Sequence, residues 1–311
     1  MPETPHPQLL NRQAAVDAMA QGYAPQLELL TQLANYASNL GIRAFNGSQR
    51  TPMDLLVCHV LLKQFTRMLD ATEILMRAGA PEAARVPVRV AFEAAMYAEW
   101  MLVADGERKA KCYYVGNLRA SRVWTKRAIA GAPERQAFLQ DMGQLGEDIR
   151  AGVEGIPQGP AREQLQRIEA SLSGPQYGET NAAFDEYKRT HRGREPRWYS
   201  VAGKHNLREI AIELQKLPEY IIFYQQNSEA VHAAMYSDHI RVLPRGVRAP
   251  PIRDLKETHN VFNAAASIAM VLFQRILAYY RLEELPRFGQ QYVDDWRQAY
   301  RNIPRAHIVE Q

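Results

Sequence analysis

Apolar residues recur at spacings of three and four along most of this chain, and that period is typical of helices with one buried face. Residues 53–79 (MDLLVCHVLLKQFTRMLDATEILMRAG) show it most clearly, and Thr51 and Pro52 before them supply an N-cap and a proline suited to the first helical turn. Further helices are predicted over residues 25–40, which end at the potential cap Gly41, over 81–101 and over 105–131. Because stretches of two-residue alternation are nearly absent, we predict an all-α protein, a multi-helix bundle.

The middle of the chain differs from both ends. Residues 132–178 are more polar and are broken by glycine and proline in GVEGIPQGPARE and SLSGPQYGE, so they are predicted to form a short helical insertion. Beyond it, helices are predicted over residues 205–216, from Pro218 onward, and over 252–282. We therefore expect N-terminal helices in residues 1–50, a bundle core in 51–283 that holds the insertion 132–178, and a C-terminal helix and tail in 284–311.

The composition is that of a folded globular protein, since 46% of the 311 residues are hydrophobic. Cys58 and Cys112 stand in predicted helices without metal-ligand spacing around them, so we expect no disulfide framework, no cofactor and a reducing, cytoplasmic location. The first residues, MPETPHPQLLNRQ, show no basic stretch followed by an apolar one, and the best apolar run, residues 264–273, is about half a bilayer span. No association with a membrane is expected.

Positive charge is concentrated in two arginine-rich stretches. The formal net charge is +4, and the sequences KRTHRGREPRW (188–198) and RVLPRGVRAPPIR (241–253) are broken by glycine and proline, which is typical of loops. Guanidinium groups bind phosphate well, so both loops are candidates for contact with RNA or a nucleotide. Solvated loops without a ligand are the alternative. The candidate residues are Arg192, Arg194, Arg197, Arg245, Arg248 and Arg253.

Residues 85–101 (RVPVRVAFEAAMYAEWM) are apolar nearly all round and are therefore predicted to be buried. Arg89 and Glu93 are exceptional in such a helix, and they stand one turn apart on one face. A buried charge is tolerated when it is paired, so an internal salt bridge is one interpretation. The other is a site at which Arg89 binds an anion while Glu93 orients it or acts as an acid or base.

A second polar set lies in QQNSEAVHAAMYSDHI (225–240), which follows the apolar run LPEYIIFY. Here polar and aromatic residues at every fourth position form one helical stripe, which we expect to meet Arg89 and Glu93. The stripe consists of Tyr220, Tyr224, Ser228, His232 and Tyr236. A satisfied internal network that specifies the packing is one interpretation of it, and a chemical site is the other.

The residues of this stripe suggest three kinds of chemistry. A dyad of Ser228 and His232 lacks a nucleophile elbow, and the Glu229–His232 pair lacks the second Glu-x-x-His motif of a di-iron bundle. The third is metal-independent RNA cleavage, in which a histidine transfers protons while an arginine stabilises charge on phosphorus.

The helical ribonucleases of the HEPN class carry an Arg, four to six residues, and then a His. QNSEAVH (226–232) resembles this motif with Gln226 in the arginine position, and RDLKETH (253–259) resembles it with Arg253 and His259 in place. A chain with 8 histidines and many arginines contains on the order of two such spacings by chance, so the spacing alone does not assign the chemistry.

Several separated residues agree in order with one known family. The segments VPVRVAFEAAMYAEWML and WYSVAGKHNLREIAIELQKLPEYIIFYQQNSEAVHAAM, which lie within residues 50–240, together resemble the bacterial domain of unknown function 5677. This resemblance implies an all-helical fold in which Arg89, Glu93, Ser228 and His232 converge, and it implies no particular activity. Asn227 and Ala233 depart from the family pattern. The matching residues are Arg89, Phe92, Glu93, Trp198, Gly203, Lys204, Tyr224, Ser228 and His232.

These observations lead to three functional hypotheses. The first is a HEPN-like protein that acts on RNA as a metal-independent ribonuclease of bacterial stress or phage defence. It would form a homodimer, with His232 or His259 as the acid or base and Arg89 or Arg253 at the phosphate. The second is a non-catalytic interaction or regulatory module whose polar set is structural. The third, a ferritin-like metal enzyme, lacks most of the ligands that it needs.

Overall fold

The computed structural model of the protein describes residues 10–143, 151–152, 155, 158–231, 239–244 and 246–304. These residues are almost entirely helical, which confirms the all-α prediction. They divide into two compact units: unit 1 comprises Met1–Ala104 and Leu207–Gln311, and unit 2 comprises Asp105–Asn206. This division has other boundaries than the three segments expected from the sequence, since the chain leaves unit 1 after Ala104 and re-enters it at Leu207.

The N-terminal part of unit 1 is built from long helices. They are α1 (Arg12–Asn46), α2 (Pro52–Leu55), the π-helical turn π1 (Leu56–Leu61), α3 (Leu62–Arg77) and α4 (Pro81–Met101). The predicted cap at Thr51 is confirmed: its hydroxyl accepts from the Asp54 amide at 3.3 Å, and the Asp54 carboxylate accepts from the Thr51 amide at 3.0 Å. Pro81 opens α4 as predicted.

The predicted end of the first helix at Gly41 is wrong, because α1 runs on to Asn46. Gly41 is buried inside the helix, where a Cβ atom would lie 3.2 Å from the backbone oxygen of Cys58 in π1. Glycine therefore serves here for the close approach of two backbones, not as a cap.

Unit 2 holds shorter helices. They are α5 (Gly106–Arg127), α6 (Pro133–Met142), α7 (Gln158–Ser173), α8 (Gly178–Thr190) and α9 (Trp198–Val201). Arg119 of α5, whose side chain is 3% exposed, donates hydrogen bonds to Glu195 at 2.5 Å and to Asp185 at 2.8 Å. These bonds hold α8 and the loop after it against α5.

The chain then returns to unit 1 and completes the bundle. The elements are α10 (Leu207–Glu213), α11 (Leu217–Glu219), π2 (Tyr220–Gln225), α12 (Gln226–Val231), β1 (Arg241–Leu243), β2 (Gly246–Arg248), α13 (Thr258–Tyr280), a 3-10 turn (Leu282–Glu284), α14 (Leu285–Gln291), π3 (Tyr292–Trp296) and α15 (Arg297–Arg301). The antiparallel hairpin of β1 and β2 lies where the sequence predicted a loop, because strands of three residues are too short to show alternation.

The core of unit 1 lies between α1, α3, α4 and α13. Fully buried aromatic side chains fill it, among them Phe65, Trp100, Phe262 and Phe273. Among the described residues, α13 alone is long and apolar enough to cross a membrane by length and composition. It packs against α1 and α4, and most of its apolar residues are buried there, which is also what a core helix does.

Candidate functional site

The candidate site lies on α4, against which π2 and α12 pack. Arg85, Arg89 and Glu93 follow one another at four-residue intervals on this helix, and their side chains are 5%, 18% and 34% exposed. The three charges thus form a row that leads from the interior to the surface.

Arg85 is a fully engaged structural residue. Its Nε donates to Asn227 Oδ1 at 2.9 Å, one Nη donates to the backbone oxygen of Gln226 at 2.9 Å, and the other lies 3.1 Å from Glu82 Oε2. These bonds fasten the start of α12 to α4. Sequence reasoning missed Arg85, although it stands one turn before Arg89 and three residues after Glu82, which is the spacing of an intrahelical ion pair.

Asn227 therefore has a role that the sequence did not reveal. It was noted as a departure from the family pattern, but its carbonyl group accepts from Arg85, and its amide nitrogen donates to the backbone oxygen of Phe223 at 2.7 Å. The carbonyl end of this side chain joins α12 to α4, and its amide end bonds the preceding turn of its own helical segment.

Arg89 is engaged in a different way. One Nη donates to the Tyr224 hydroxyl at 2.8 Å, and the guanidinium carbon lies 4.4 Å from the centre of the same ring. Glu93 is 4.0 Å away, at the outer limit of an ion pair, and the buried Nε has no hydrogen-bond partner among the residues that the structure describes. A mostly buried cation thus has one neutral acceptor, one aromatic face and a distant carboxylate around it, so its charge and donors are only partly compensated.

Glu93 and Ser228 complete the described part of this site. Glu93 accepts a hydrogen bond from the Tyr97 hydroxyl at 2.9 Å and is open to solvent over about a third of its side chain. Ser228 lies in α12 and is half-buried, and within the described chain its hydroxyl makes no hydrogen bond. The salt bridge between Arg89 and Glu93, one of the two interpretations of the sequence, is therefore a loose contact, which leaves the carboxylate free to accept a further hydrogen bond.

The π-helical turn π2 brings Tyr224 to Arg89. Phe223 and Tyr224, which are consecutive, both contact Phe92 of α4, at ring-centre distances of 6.3 and 6.1 Å, and Tyr220 stacks on Tyr224 at 5.1 Å. A π-helical turn accommodates an extra residue relative to an α-helix, and such turns occur often at functional sites. The stripe predicted with an α-helical period meets α4 through Tyr224, but the π turn changes its register.

His232 and Tyr236 lie outside the described residues, as does the side chain of Glu229. His232 follows Val231, the last residue of α12, directly in the chain. The described residues contain no group of three or more His, Cys, Asp and Glu side chains placed to hold a metal ion.

Arg253 and His259, the two residues of the second HEPN-like motif, bind different parts of the fold. Arg253 donates to the backbone oxygen of Ala78 at 3.0 Å, where it satisfies the end of α3. His259 Nδ1 lies 3.2 Å from the backbone oxygen of Ile303, and Asp254 accepts from the Lys256 amide at 3.0 Å. These contacts favour a structural role for the segment.

The arginine-rich loop of unit 2 presents Arg192, Arg194 and Arg197, all of which are exposed. The backbone of Arg192 has φ +55°, in the left-handed region, and Glu195 in the same loop is tied to Arg119. The loop thus has a fixed anchor with arginines pointing outward.

The other arginine-rich stretch lies in unit 1. Arg245 is outside the described residues, and Arg248 is described only by its backbone pairing with Arg241. With Arg253 bound to α3, this stretch has less exposed guanidinium surface in its described part than the sequence predicted.

Comparison with known proteins gives one result for this chain. The model of a family of unknown function, DUF5677, matches residues 55–243, which include α4, π2 and α12. No curated protein and no solved structure matches it significantly. The family match spans more than half of the sequence, so the chain belongs to the family of unknown function DUF5677.

Proposed function

We propose that the protein acts on RNA and that Arg89 binds a phosphate of the RNA backbone. The observation that carries this proposal is the incomplete compensation of Arg89: within the described part of the chain its buried Nε has no hydrogen-bond partner, and the Glu93 carboxylate is 4.0 Å away. A guanidinium with free donors beside a neutral hydroxyl suits the oxygen atoms of a phosphodiester. The exposed arginines 192, 194 and 197 supply further positive charge for a polyanion.

The proposed reaction is metal-independent cleavage of the RNA strand. A base takes the proton from the 2′-hydroxyl, the 2′-oxygen attacks phosphorus, and the bond from phosphorus to the 5′-oxygen breaks as that oxygen receives a proton. His232, with Glu93 as the second group, is assigned these proton transfers, and Arg89 stabilises the charge on the phosphorane. Arg89 and His232 are preferred over Arg253 and His259 because the latter two bind backbone oxygens.

We also propose a biological setting for the protein. A HEPN-like ribonuclease of bacterial stress or phage defence that works in the cytoplasm as a homodimer agrees with the two free cysteines of the described chain.

Salt-dependent RNA binding tests the phosphate contact. Binding of a single-stranded RNA oligomer is measured between low and high salt for the wild type, for Arg89→Met and for Arg67→Met, an exposed arginine on α3. We expect Arg89→Met to weaken binding for all sequences and to reduce the salt slope by about one unit. Equal affinities and slopes for Arg89→Met and Arg67→Met would refute the assignment of Arg89.

A non-catalytic interaction or regulatory module is the second candidate function. It is favoured by the Arg85 network, whose bonds to Asn227 and Gln226 join α12 to α4 and whose bond to Glu82 stays within α4, as in a structural polar cluster. In that case the wild type would bind no RNA in the same titration, and both Arg85→Met and Arg89→Met would act through stability alone.

A further inference from the structure

A second cationic site lies in a cleft of unit 1, away from the residues proposed to act on RNA. The cleft has a volume of about 600 Å³ and runs between α1 and the segment that begins with the 3-10 turn and continues through α14. The two walls are antiparallel, because Arg43 faces Glu284 near one end while Tyr36 faces Phe288 further along. Its size falls in the range of small-molecule sites, about 300–1,000 Å³.

Three guanidinium groups but only one carboxylate lie among the described residues that line this cleft. Arg43 Nε donates to Glu284 at 3.1 Å and Arg281 Nε donates to the same carboxylate at 2.9 Å, so Glu284 holds two of the arginines side by side. Arg281 also reaches Glu283, which is 65% exposed outside the cleft. Among the residues that the structure describes, Arg287 is exposed and makes neither a hydrogen bond nor an ion pair, although it lines the cleft.

The floor beneath these charges is rigid. The ring of Tyr36 packs against Phe273, Phe288 and Trp296 at centre distances of 5.2, 5.7 and 5.3 Å. Burial raises the pKa of the Tyr36 hydroxyl, so the group stays protonated and can donate a hydrogen bond at neutral pH. The guanidinium of Arg43 lies 5.4 Å from the centre of the Tyr36 ring, which fixes this cation above the floor.

The remainder of the cleft offers neutral polar groups. Asn35, Asn39 and Gln291 line it and provide amide donors and acceptors. The cleft therefore has an aromatic floor, guanidinium groups in excess over carboxylates at one end, and amide side chains along its walls. This arrangement matches a ligand that is dianionic at one end and uncharged but polar at the other.

We propose that this cleft binds a small phosphomonoester, with its phosphate held by Arg287 and Arg43 and its polar body against the amide side chains. A terminal phosphate carries between one and a half and two negative charges at neutral pH and presents three acceptor oxygens. It therefore satisfies the donors of two guanidinium groups better than a single carboxylate does. A phosphorylated sugar or a nucleoside monophosphate has the required pattern of charge and polarity.

Isothermal titration at low ionic strength and pH 7.5 tests this site with AMP and glucose 6-phosphate as probes and adenosine as the uncharged control. The proteins are the full chain as wild type, Arg287→Gln and Arg297→Gln, the last being an exposed arginine of α15 outside the cleft. We expect at least one phosphomonoester to bind the wild type with one site per chain and adenosine not to bind. Arg287→Gln should weaken that binding roughly tenfold or more, and Arg297→Gln should leave it unchanged.

Arg89→Met separates this proposal from the proposed RNA site. It should bind the phosphomonoester as the wild type does, whatever its effect on RNA. The proposal is overturned if neither phosphomonoester binds, if adenosine binds as tightly as AMP, or if Arg287→Gln and Arg297→Gln weaken binding equally.

Discussion

Replacement of Arg85 by methionine should destabilise unit 1 about twice as much as the same replacement of Arg89. Methionine keeps part of the apolar stem of the side chain, so the change removes the charge and its hydrogen bonds with little loss of packing. The comparison distinguishes Arg85, which holds α12 to α4, from Arg89, whose Nε has no hydrogen-bond partner among the described residues.

The magnitude follows from the contacts that each variant loses. Arg85 gives up two hydrogen bonds of 2.9 Å, to Asn227 and to the backbone of Gln226, and each bond from a charged donor contributes about 1.5–3 kcal/mol. Water can reach part of Gln226, which is exposed, so we expect a loss of roughly 3 kcal/mol in total. The contact with Glu82, whose side chain is 32% exposed, adds about 0–1 kcal/mol.

Arg89 gives up one bond, to the Tyr224 hydroxyl, at a site that is 18% exposed. We expect its replacement to cost about 1.5 kcal/mol, the lower end for one bond from a charged donor, since its buried Nε has no bond to lose among the described residues. Thermal melting and urea unfolding, followed by far-UV circular dichroism, measure both variants. For a domain of this size, Arg85→Met should lower the melting temperature by roughly 6–12 °C and Arg89→Met by roughly 3–6 °C. Equal shifts, or a larger shift for Arg89→Met, would refute the distinction between the two arginines.

Three further predictions concern an ion pair of α4, a carboxylate of unit 2 and a buried thiol. Lys216→Met leaves the Glu99 carboxylate, which is 4% exposed and 2.6 Å from Lys216 Nζ, without its close partner and should cost about 3 kcal/mol in urea unfolding. Burial would raise the pKa of Glu195, but hydrogen bonds from Arg119 and Lys188 outweigh it and hold that pKa below its ordinary 4.5, so this stabilisation is complete above pH 4.5 and is lost as the pH falls further. Burial raises the pKa of Cys58 to about 12, so at pH 8 roughly one thiol in 10⁴ is ionised and a thiol reagent should not label it until the protein unfolds.

Each of these has its own control. Lys216→Met combined with Glu99→Met should regain most of the lost stability, and a double variant no more stable than Lys216→Met would contradict the buried-pair argument. Glu195→Gln should flatten the loss of stability below pH 4.5, and an unchanged acid profile would show that other carboxylates cause it. Rapid labelling of Cys58 in the native protein would contradict its burial.

Local signals predicted the helices well where a cap or a proline marked a boundary. Thr51 with Pro52 and Pro81 open helices as expected, because their conformational preferences act within one turn. Gly41 misled the prediction, since the same residue type serves as a helix cap and as a point of close backbone approach, and the approach of Cys58 depends on tertiary packing.

The candidate site was predictable only in part for a related reason. The spacing of Arg89 and Glu93 on an apolar helix indicated an unusual pair, and Tyr224 does meet Arg89. The π turn that brings Tyr224 there breaks the 3.6-residue period from which the stripe was predicted, so its register was not predictable from that period. The role of Arg85 depends on Asn227, which lies 142 positions away in the chain, and no local pattern records that contact.

The most direct test of the proposed function is cleavage of total RNA in EDTA by the wild type, Arg89→Met, His232→Ala and Arg67→Met, with thermal melting of each protein to show that it is folded. We predict that the wild type and Arg67→Met cleave the RNA, whereas Arg89→Met and His232→Ala stay folded and do not. Absence of cleavage by the folded wild type, or equal cleavage by all four proteins, would contradict a ribonuclease site at Arg89 and His232.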